Sequence, residues 1–172
     1  MIFGDFDSYI ENLCVKHKKI LHSAKEPHYF RHGLDQILTG LTKDVNYPYV
    51  SREKSDYVYE DNGADSYTKN RSVALNFMHH TRDTTDDDEQ QRLLDILETI
   101  IDDFISLMMV DKKDRKHAFL KYFDLNSVDC TNISSAMNPD RAFGYFVTFK
   151  ITNWQDITVI EDNWVQPEPL IP

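Results

Sequence analysis

The sequence contains few cysteines and no long apolar run, and each scarcity excludes a class of protein. Its two cysteines, Cys14 and Cys130, stand far apart in amphipathic segments, so we expect two buried thiols rather than a disulfide or metal framework. No segment reaches the ~18–20 apolar residues of a membrane-spanning helix. The first residues carry acids where a signal peptide carries lysines. These features predict a protein that is neither membrane-spanning nor secreted.

Glycine is scarce too, with five residues in the chain, and none forms a phosphate-binding loop. Walker A and G-x-G-x-x-G loops use glycine to bring backbone N–H groups close to phosphate, and neither motif is present. The G-x-S-x-G motif of serine hydrolases is also absent. Because Cys14 falls on the apolar side of the first predicted helix, we interpret it as a core residue and not as a nucleophile. The sequence predicts a protein that is not an enzyme and has no cofactor.

Basic residues are outnumbered, since 19 Lys and Arg stand against 29 Asp and Glu and give a formal net charge of -10. Such a charge repels phosphate backbones and disfavours general nucleic-acid binding. The excess is concentrated in 86–110, a segment with eight acids and one base and a net charge of -7. Lys112, Lys113, Arg115 and Lys116 follow it. The chain is therefore nearly neutral apart from one acidic rod whose far end is basic.

Apolar residues at helical spacing predict three helices. The first covers Asp5–His22, and a brief second one covers Arg31–Leu41. The third covers Asp86–Lys112 and should be about 40 Å long at roughly 1.5 Å per residue. Its acids lie at the start and its lysines at the end, an order that complements the helix dipole. We expect this long helix to be the spine of the fold.

Period-2 alternation of apolar and polar residues predicts two β-hairpins. The first lies within 47–80, where Ser72–His80 alternates and Asn62-Gly63 marks the turn of an exposed polar connection across 61–70. The second pairs 124–136 with 142–154 around an Asn-Pro-Asp turn. In its second strand one face is apolar and consists of Phe143, Tyr145, Val147, Phe149 and Ile151.

The last 18 residues, 155–172, contain three prolines and an isolated Trp164. Proline cannot donate to a strand ladder, so we expect an extended arm. A large ring such as that of Trp164 either folds back onto its own domain or anchors in a neighbour, and the sequence leaves both open. The remaining residues, 1–154, predict a single α+β domain. Its helices should pack on one face of a small antiparallel or mixed sheet, in the order α-α-ββ-α-ββ.

A metal-dependent hydrolase is one function that the sequence leaves open. It would use His28, His32, His79, His80 and the aspartates of 86–103, and it predicts bound metal and loss of activity on His79→Ala. The zinc-protease motif, however, needs glutamate where Tyr29 stands. Successive strand residues such as the 79–80 pair face opposite ways, and the aspartates lack the spacing of a calcium loop. We therefore expect no metal site.

Polar loops and charged helix ends are better candidates for contacts with other molecules. Long hairpins and arms commonly join subunits, and unlike charges can pair between copies of one chain. The candidate contact residues are Asp61, Asn62, Gly63, Asp65, Asp86, Asp87, Asp88, Lys112, Lys113, Arg115 and Trp164.

Three segments resemble short proteins encoded in phage-like regions of Bacteroidetes genomes. They are PHYFRHGLDQILTGLTKDVNYP at Pro27–Pro48, DDFISLMMVDKKD at Asp102–Asp114 and FGYFVTFKITNWQD at Phe143–Asp156. The predicted order of elements also resembles the tail-terminator, or tail-completion, proteins of tailed bacteriophages. These small α+β subunits form a ring at the head-proximal end of the tail tube. The resemblance supplies no catalytic or binding residue, because the family acts through assembled surfaces.

The resemblance implies a structural virion protein, assembled in the host cytoplasm and located in the tail or neck. Its partners would be its own copies, in a homo-hexameric ring, and other tail and neck proteins, with neither a membrane nor a specific nucleic-acid site involved. Genome DNA would pass through the lumen of the ring. A negatively charged lumen would let the DNA slide, because it does not attract the phosphate backbone. The alternative is an acidic immunity or antitoxin protein that neutralises a basic partner through the carboxylates of 83–103. That function predicts a monomer or dimer with salt-sensitive affinity.

Overall fold

Two helices and a mixed six-stranded sheet form the part of the chain that this computed structural model describes. The fold is therefore α+β, as the sequence predicts. The described residues are 3–31, 45–53, 55–63, 66–81, 83, 86–133 and 142–155. The predicted helix Arg31–Leu41 lies outside them except for Arg31, and so does the predicted arm beyond Gln155, which ends β6.

Helix α1 covers Phe3–Lys16 and ends six residues before the predicted boundary at His22. The chain reverses at Leu21, whose φ is 53°, and the His22 N–H donates to the Cys14 carbonyl at 3.1 Å. This turn returns Ile20 to the core, where it is buried. The apolar spacing therefore continues past the helix end, which is why the periodicity overestimates its length.

Helix α2 covers Asp87–Lys113 and confirms the long helix within one residue at each end. Asp86 is its N-cap, because its carboxylate accepts from the Glu89 N–H at 2.9 Å. Acids occupy its first turn and lysines its last, in the order that the helix dipole favours. A short 3-10 helix, Ala118–Tyr122, follows.

The sheet is built around one long central strand, β4. Its order is β1-β2-β4-β6-β5, and β3 also pairs with β4. Among the described strand pairs, β1–β2 is parallel and the others are antiparallel. The strands are β1 (Tyr29–Phe30), β2 (Tyr49–Arg52), β3 (Asp56–Asp61), β4 (Tyr67–His80), β5 (Phe123–Ile133) and β6 (Ala142–Gln155).

Strands β2 and β3 follow one another along the same edge of β4. Arg52 pairs with Leu75 and Asp56 with Ser72, so the register along β4 shifts by one residue between β2 and β3, as it does across a β-bulge. The hairpin β3–β4 confirms the first predicted hairpin, but its connection is 62–66 and not 61–70. Residues 67–70 pair with both β3 and β6, which secures them in the sheet although they are polar.

The second predicted hairpin is confirmed as β5–β6, with the apolar face of β6 directed at the helices. Val147, Phe149 and Ile151 are buried and Tyr145 packs beside them.

Cys14 is buried as expected, but Cys130 is exposed, so the prediction of two buried thiols is wrong at this position. Cys130 is on the edge strand β5. The pKa of its thiol is raised mainly by partial burial and, to a smaller extent, by the nearby carboxylates of Asp129, Asp102 and Glu98.

One large core lies between the helices and one face of the sheet. It joins α1, α2, the 3-10 helix and the sheet strands through interlocking aromatic rings. Phe6 of α1, for example, meets Phe119 and Phe149 edge-on at 5.8 and 6.1 Å. A second, smaller cluster on the other face joins Tyr49, Met78 and Ala142. Each helix is therefore held by the same sheet face.

Gly144 allows β4 and β6 to approach closely. A Cβ at this position would lie 1.9 Å from the Phe77 carbonyl oxygen, inside the van der Waals contact distance of any pair of heavy atoms. Because Gly144 pairs with Met78 in β4 and with Ile133 in β5, neither neighbouring strand can move aside without breaking its ladder.

We expect Gly144→Ala to destabilise the protein by about 3 kcal/mol, measured as a lower urea midpoint. Gly63→Ala is the matched control, because its φ is +78° but no atom lies within 4 Å of the added Cβ. It should cost about 1 kcal/mol through backbone strain alone. Equal stability of the two variants would contradict the close approach at Gly144.

Candidate functional site

A basic groove lies at the carboxyl end of α2. It has a volume of about 610 Å³, and half-exposed Val110 supplies part of its apolar floor. Among the described residues, no carboxylate lies within ion-pair distance of Lys113, Arg115 or Lys121. Several positive charges that pair with no described carboxylate therefore surround an apolar surface. The groove is lined by Met109, Val110, Lys112, Lys113, Arg115 and Lys121.

Several contacts anchor the chain around the groove. The Lys112 ammonium donates to the Phe123 carbonyl at 2.6 Å, and Lys121 lies over the Tyr122 ring at 4.8 Å. Beside them the buried carboxylate of Asp111 accepts from the Tyr9 hydroxyl at 2.9 Å and from the Lys116 ammonium at 2.8 Å. This network joins α1 to the end of α2 and keeps Lys116 out of the groove.

The electrostatics of Asp111 follow from its donors. Burial alone would raise the pKa of this carboxyl, but hydrogen bonds from Lys116 and Tyr9 outweigh it and hold the pKa below its ordinary value. Burial and the same hydrogen bond raise the pKa of Tyr9. Asp111 is therefore ionised and Tyr9 protonated at neutral pH.

The second notable surface is the β3–β4 hairpin, which continues past the helices. All six residues of β3 are exposed, although Tyr57, Val58 and Tyr59 are large and apolar, at 50, 62 and 47% exposure. Within the described part of the chain, β3 pairs only with β4, so its outer edge is uncovered. Exposed apolar residues on an uncovered edge are typical of interaction sites.

Cations stiffen one face of this hairpin. Lys69 lies over the rings of Tyr57 and Tyr59 at 3.8 and 5.2 Å, and Arg71 lies 5.3 Å from the Tyr57 ring. Cation–π contacts of this kind contribute about 0.5–1 kcal/mol each at exposed positions. The helix-side face of the hairpin is therefore ordered by its own side chains.

The opposite face of the hairpin is acidic and apolar. Asp56, Val58 and Glu60 alternate with the tyrosines along β3. Glu60 and Trp154 of β6 both pair with Thr68 of β4, so their side chains lie on the same face of the sheet. Trp154 is 56% exposed. No described cation lies within ion-pair distance of Asp56 or Glu60. We call these four residues, Asp56, Val58, Glu60 and Trp154, the acidic hairpin face.

A depression of about 360 Å³ adjoins this face at the bulge between β2 and β3. Ala74 and Phe146 belong to its lining, as do the carboxylates of Glu53 and Asp56. Lys150 lies two strands away from Asp56, across Ser72 of β4, and pairs in turn with Asp124 of β5. Acidic and apolar groups thus extend from the hairpin onto the sheet.

The hairpin turn contains three of the predicted contact residues. The Gly63 N–H donates to the Asp61 carboxylate at 2.8 Å, and the Asn62 amide donates to the Thr68 hydroxyl at 3.3 Å. The left-handed φ of 78° at Gly63 explains glycine there. These residues shape the turn. Asp65 and Trp164 lie outside the described residues.

The acidic helix residues are largely engaged within the chain. Asp86 caps α2, with Asp87 and Asp88 in its exposed first turn. Further along, Asp95 accepts from Gln91 at 2.8 Å, Glu98 from the Tyr145 hydroxyl, and Asp103 lies 3.2 Å from the His17 ring. The contact with Glu98, after burial, raises the pKa of Tyr145 to about 12.

A buried carboxylate that the sequence analysis missed fastens α1 to the sheet. Asp7, 6% exposed, pairs with Arg52 of β2, and Arg31 reaches both Asp7 and Glu11. Asp7 adjoins Phe6 on the apolar side of α1. An acid at such a position is the sequence signal that could have predicted a buried ion pair. The pair satisfies a charge that burial would otherwise make costly.

The histidines considered for metal binding are used in packing. His28 hydrogen-bonds the Pro48 carbonyl at 2.7 Å, and the rings of His79 and His80 lie 6.2 and 5.4 Å from that of Tyr47. His32 lies outside the described residues. Among those described, no three His, Cys, Asp or Glu side chains are grouped closely enough to hold a metal ion.

Of the predicted contact residues, the structure brings together Lys112, Lys113 and Arg115 in the groove and, separately, Asp61, Asn62 and Gly63 in the turn. The acidic first turn of α2 lies far from the groove at the other end of the helix, because the 27 residues of α2 span about 40 Å. Sequence reasoning missed the exposed residues of β3, although an alternating aromatic run bounded by acids was their signal. It also missed Trp154 and Lys121.

Within the described residues, no helix is both long and apolar enough to cross a membrane. Comparisons of the chain with protein-family models, with curated proteins and with solved structures find no match.

The Asp111 network predicts a pH-dependent stability. Asp111→Asn should lower the free energy of unfolding by about 2 kcal/mol at pH 7, because it removes a charge-assisted acceptor. Since the pKa of Asp111 is lowered on folding, its contribution is present above about pH 4 and is lost as the pH falls further. The difference from wild type should therefore shrink below pH ~4, as measured by urea unfolding across pH.

Asp114→Asn is the control, because this half-exposed carboxylate lies 3.6 Å from the same Lys116. Surface pairs of this kind contribute at most about 1 kcal/mol. A loss of stability as large for Asp114→Asn as for Asp111→Asn would contradict the role given to the buried network.

Proposed function

We propose that this chain is a structural subunit that assembles with its own copies into a ring, as its resemblance to phage tail-terminator proteins implies. The observation that carries the proposal is strand β3, which exposes Tyr57, Val58 and Tyr59 and pairs, among the described strands, only with β4. A single domain gains nothing from exposing a large apolar side chain such as that of Val58 in water, whereas a subunit can bury it in an interface.

Unpaired charges support the same proposal. The groove at the end of α2 is basic and the hairpin face is acidic, and neither has a partner among the described residues. Two unlike complementary surfaces generate a head-to-tail interface, which closes into a ring when the rotation between subunits allows it. The proposed ring is a homo-hexamer in the tail or neck of a virion. It joins the tail tube to the head-side connector, and genome DNA passes through its lumen.

The acidic immunity or antitoxin protein has less support. That function needs the carboxylates of 83–103 to be available for a basic partner. These carboxylates are exposed, but Asp95, Glu98 and Asp103 each already contact another residue of the same chain, namely Gln91, Tyr145 and His17. A structural role also fits the absence of a hydrolase motif from the sequence.

Light scattering after size-exclusion chromatography tests the proposal, with negative-stain imaging of the same fractions. We expect a closed oligomer whose mass is a multiple of 20.2 kDa, with about six subunits. Val58→Ser should raise the concentration needed for assembly about tenfold, because roughly 1.4 kcal/mol of apolar burial is lost.

Val15→Ser is the matched control, since Val15 of α1 is also about half exposed, at 47%, but lies outside the hairpin. It should leave the assembly unchanged. A monomer at every concentration would overturn the proposal, and so would a salt-sensitive complex with a basic protein in place of self-assembly.

A further inference from the structure

We propose that the acidic hairpin face of one subunit docks into the basic groove of the next. The inference rests on the proposed function, because the molecule that fills the groove is a second copy of this chain. It assigns the two sides of the contact: Asp56, Val58, Glu60 and Trp154 on one subunit, and the groove at the end of α2 on the other.

The two surfaces match in chemistry. Each combines exposed apolar residues with charges: Val58 stands between Asp56 and Glu60, with Trp154 across β4 from Glu60, and Val110 lies among lysines and an arginine. Neither Asp56 nor Glu60 has an ion-pair partner among the described residues, and the same holds for Lys113 and Arg115. Docking would satisfy both sets of charges and remove both apolar centres from water.

The first turn of α2 is a poorer occupant of the groove. Its exposed residues, Asp87 and Asp88, supply charge but no apolar side chain. The groove floor includes Val110, with exposed Leu107 one turn before it. An occupant with acids on either side of an apolar residue, the pattern of Asp56, Val58 and Glu60, fits such a surface better.

The contact must form between copies, because the two surfaces lie on opposite layers of the fold. The groove belongs to the helix layer. The acidic hairpin face belongs to the sheet face turned away from the helices, since its residues alternate with Tyr57 and Tyr59 on the helix side. One subunit therefore offers its hairpin on one side and its groove on the other, a heterologous arrangement.

The cations of the hairpin do not oppose this docking. Lys69 and Arg71 lie on the tyrosine side, over the rings of Tyr57 and Tyr59. Lys150 shares the acidic side but is separated from Asp56 by β4. The tyrosine contacts hold β3 in a fixed conformation, which lowers the entropy lost on binding.

Charge reversal tests the inference on the full chain. Lys113→Glu/Arg115→Glu reverses the groove, and Asp56→Lys/Glu60→Lys reverses the hairpin face. Each double variant alone should weaken self-association about 100-fold, as measured by light scattering across a concentration series, because like charges then meet at every contact. An equimolar mixture of the two variants should restore the wild-type oligomer, since every contact then joins opposite charges.

Lys18→Glu/Lys19→Glu is the matched control for the groove variant, because it makes the same change in net charge at exposed lysines outside the groove. It should assemble as wild type does. Circular dichroism and the urea midpoint check that each variant is folded.

The outcomes separate the two proposals. A wild-type oligomer that neither reversal weakens, or a mixture that fails to restore it, would overturn the hairpin-groove contact and leave the ring proposal standing. A wild-type chain that stays monomeric would overturn both.

Discussion

The pairing of β4 with β6 is the interaction on which the rest of the structure depends. Fourteen consecutive residue pairs join the two strands. The half of the ladder nearer His80 carries most of the core face to which both helices pack, and the half nearer Tyr67 carries the hairpin with β3. One continuous ladder therefore stabilises a buried domain and holds β3 rigidly in water. Gly144 permits the close approach of these strands, and the buried charges of Asp7 and Asp111 fasten the helices above them.

How much of the fold could be predicted depended on how local each signal was. Helix α2 was predicted within one residue at each end, because its cap, its charge order and its apolar stripe all lie within its own sequence. The hairpin β5–β6 was predicted from alternation and an Asn-Pro-Asp turn sequence. Strands β1 and β2 were not, since two- and four-residue strands are defined by partners distant in sequence. The end of α1 was missed because Ile20 returns to the core after the helix has stopped.

The candidate site was predicted in part for the same reason. Lys112, Lys113 and Arg115 form a cluster in sequence, and the structure gathers them around one groove. The residues of β3 were missed because alternating tyrosines look like one face of a core strand. Only the extent of the helix layer, which stops short of the hairpin, leaves them exposed. The domain core thus supports two unlike surfaces whose charges have no ion-pair partner among the described residues.

Disulfide trapping between Val58→Cys and Val110→Cys, in a Cys130→Ser background, tests this account most directly. Both valines are exposed, at 62 and 49%, and they lie on the two surfaces that should meet. Mild oxidation should give a ladder of covalent oligomers that ends at the ring size, while either cysteine alone should give dimers at most. Monomers only, or the same ladder after Val15→Cys replaces Val58→Cys, would contradict head-to-tail docking of the hairpin in the groove.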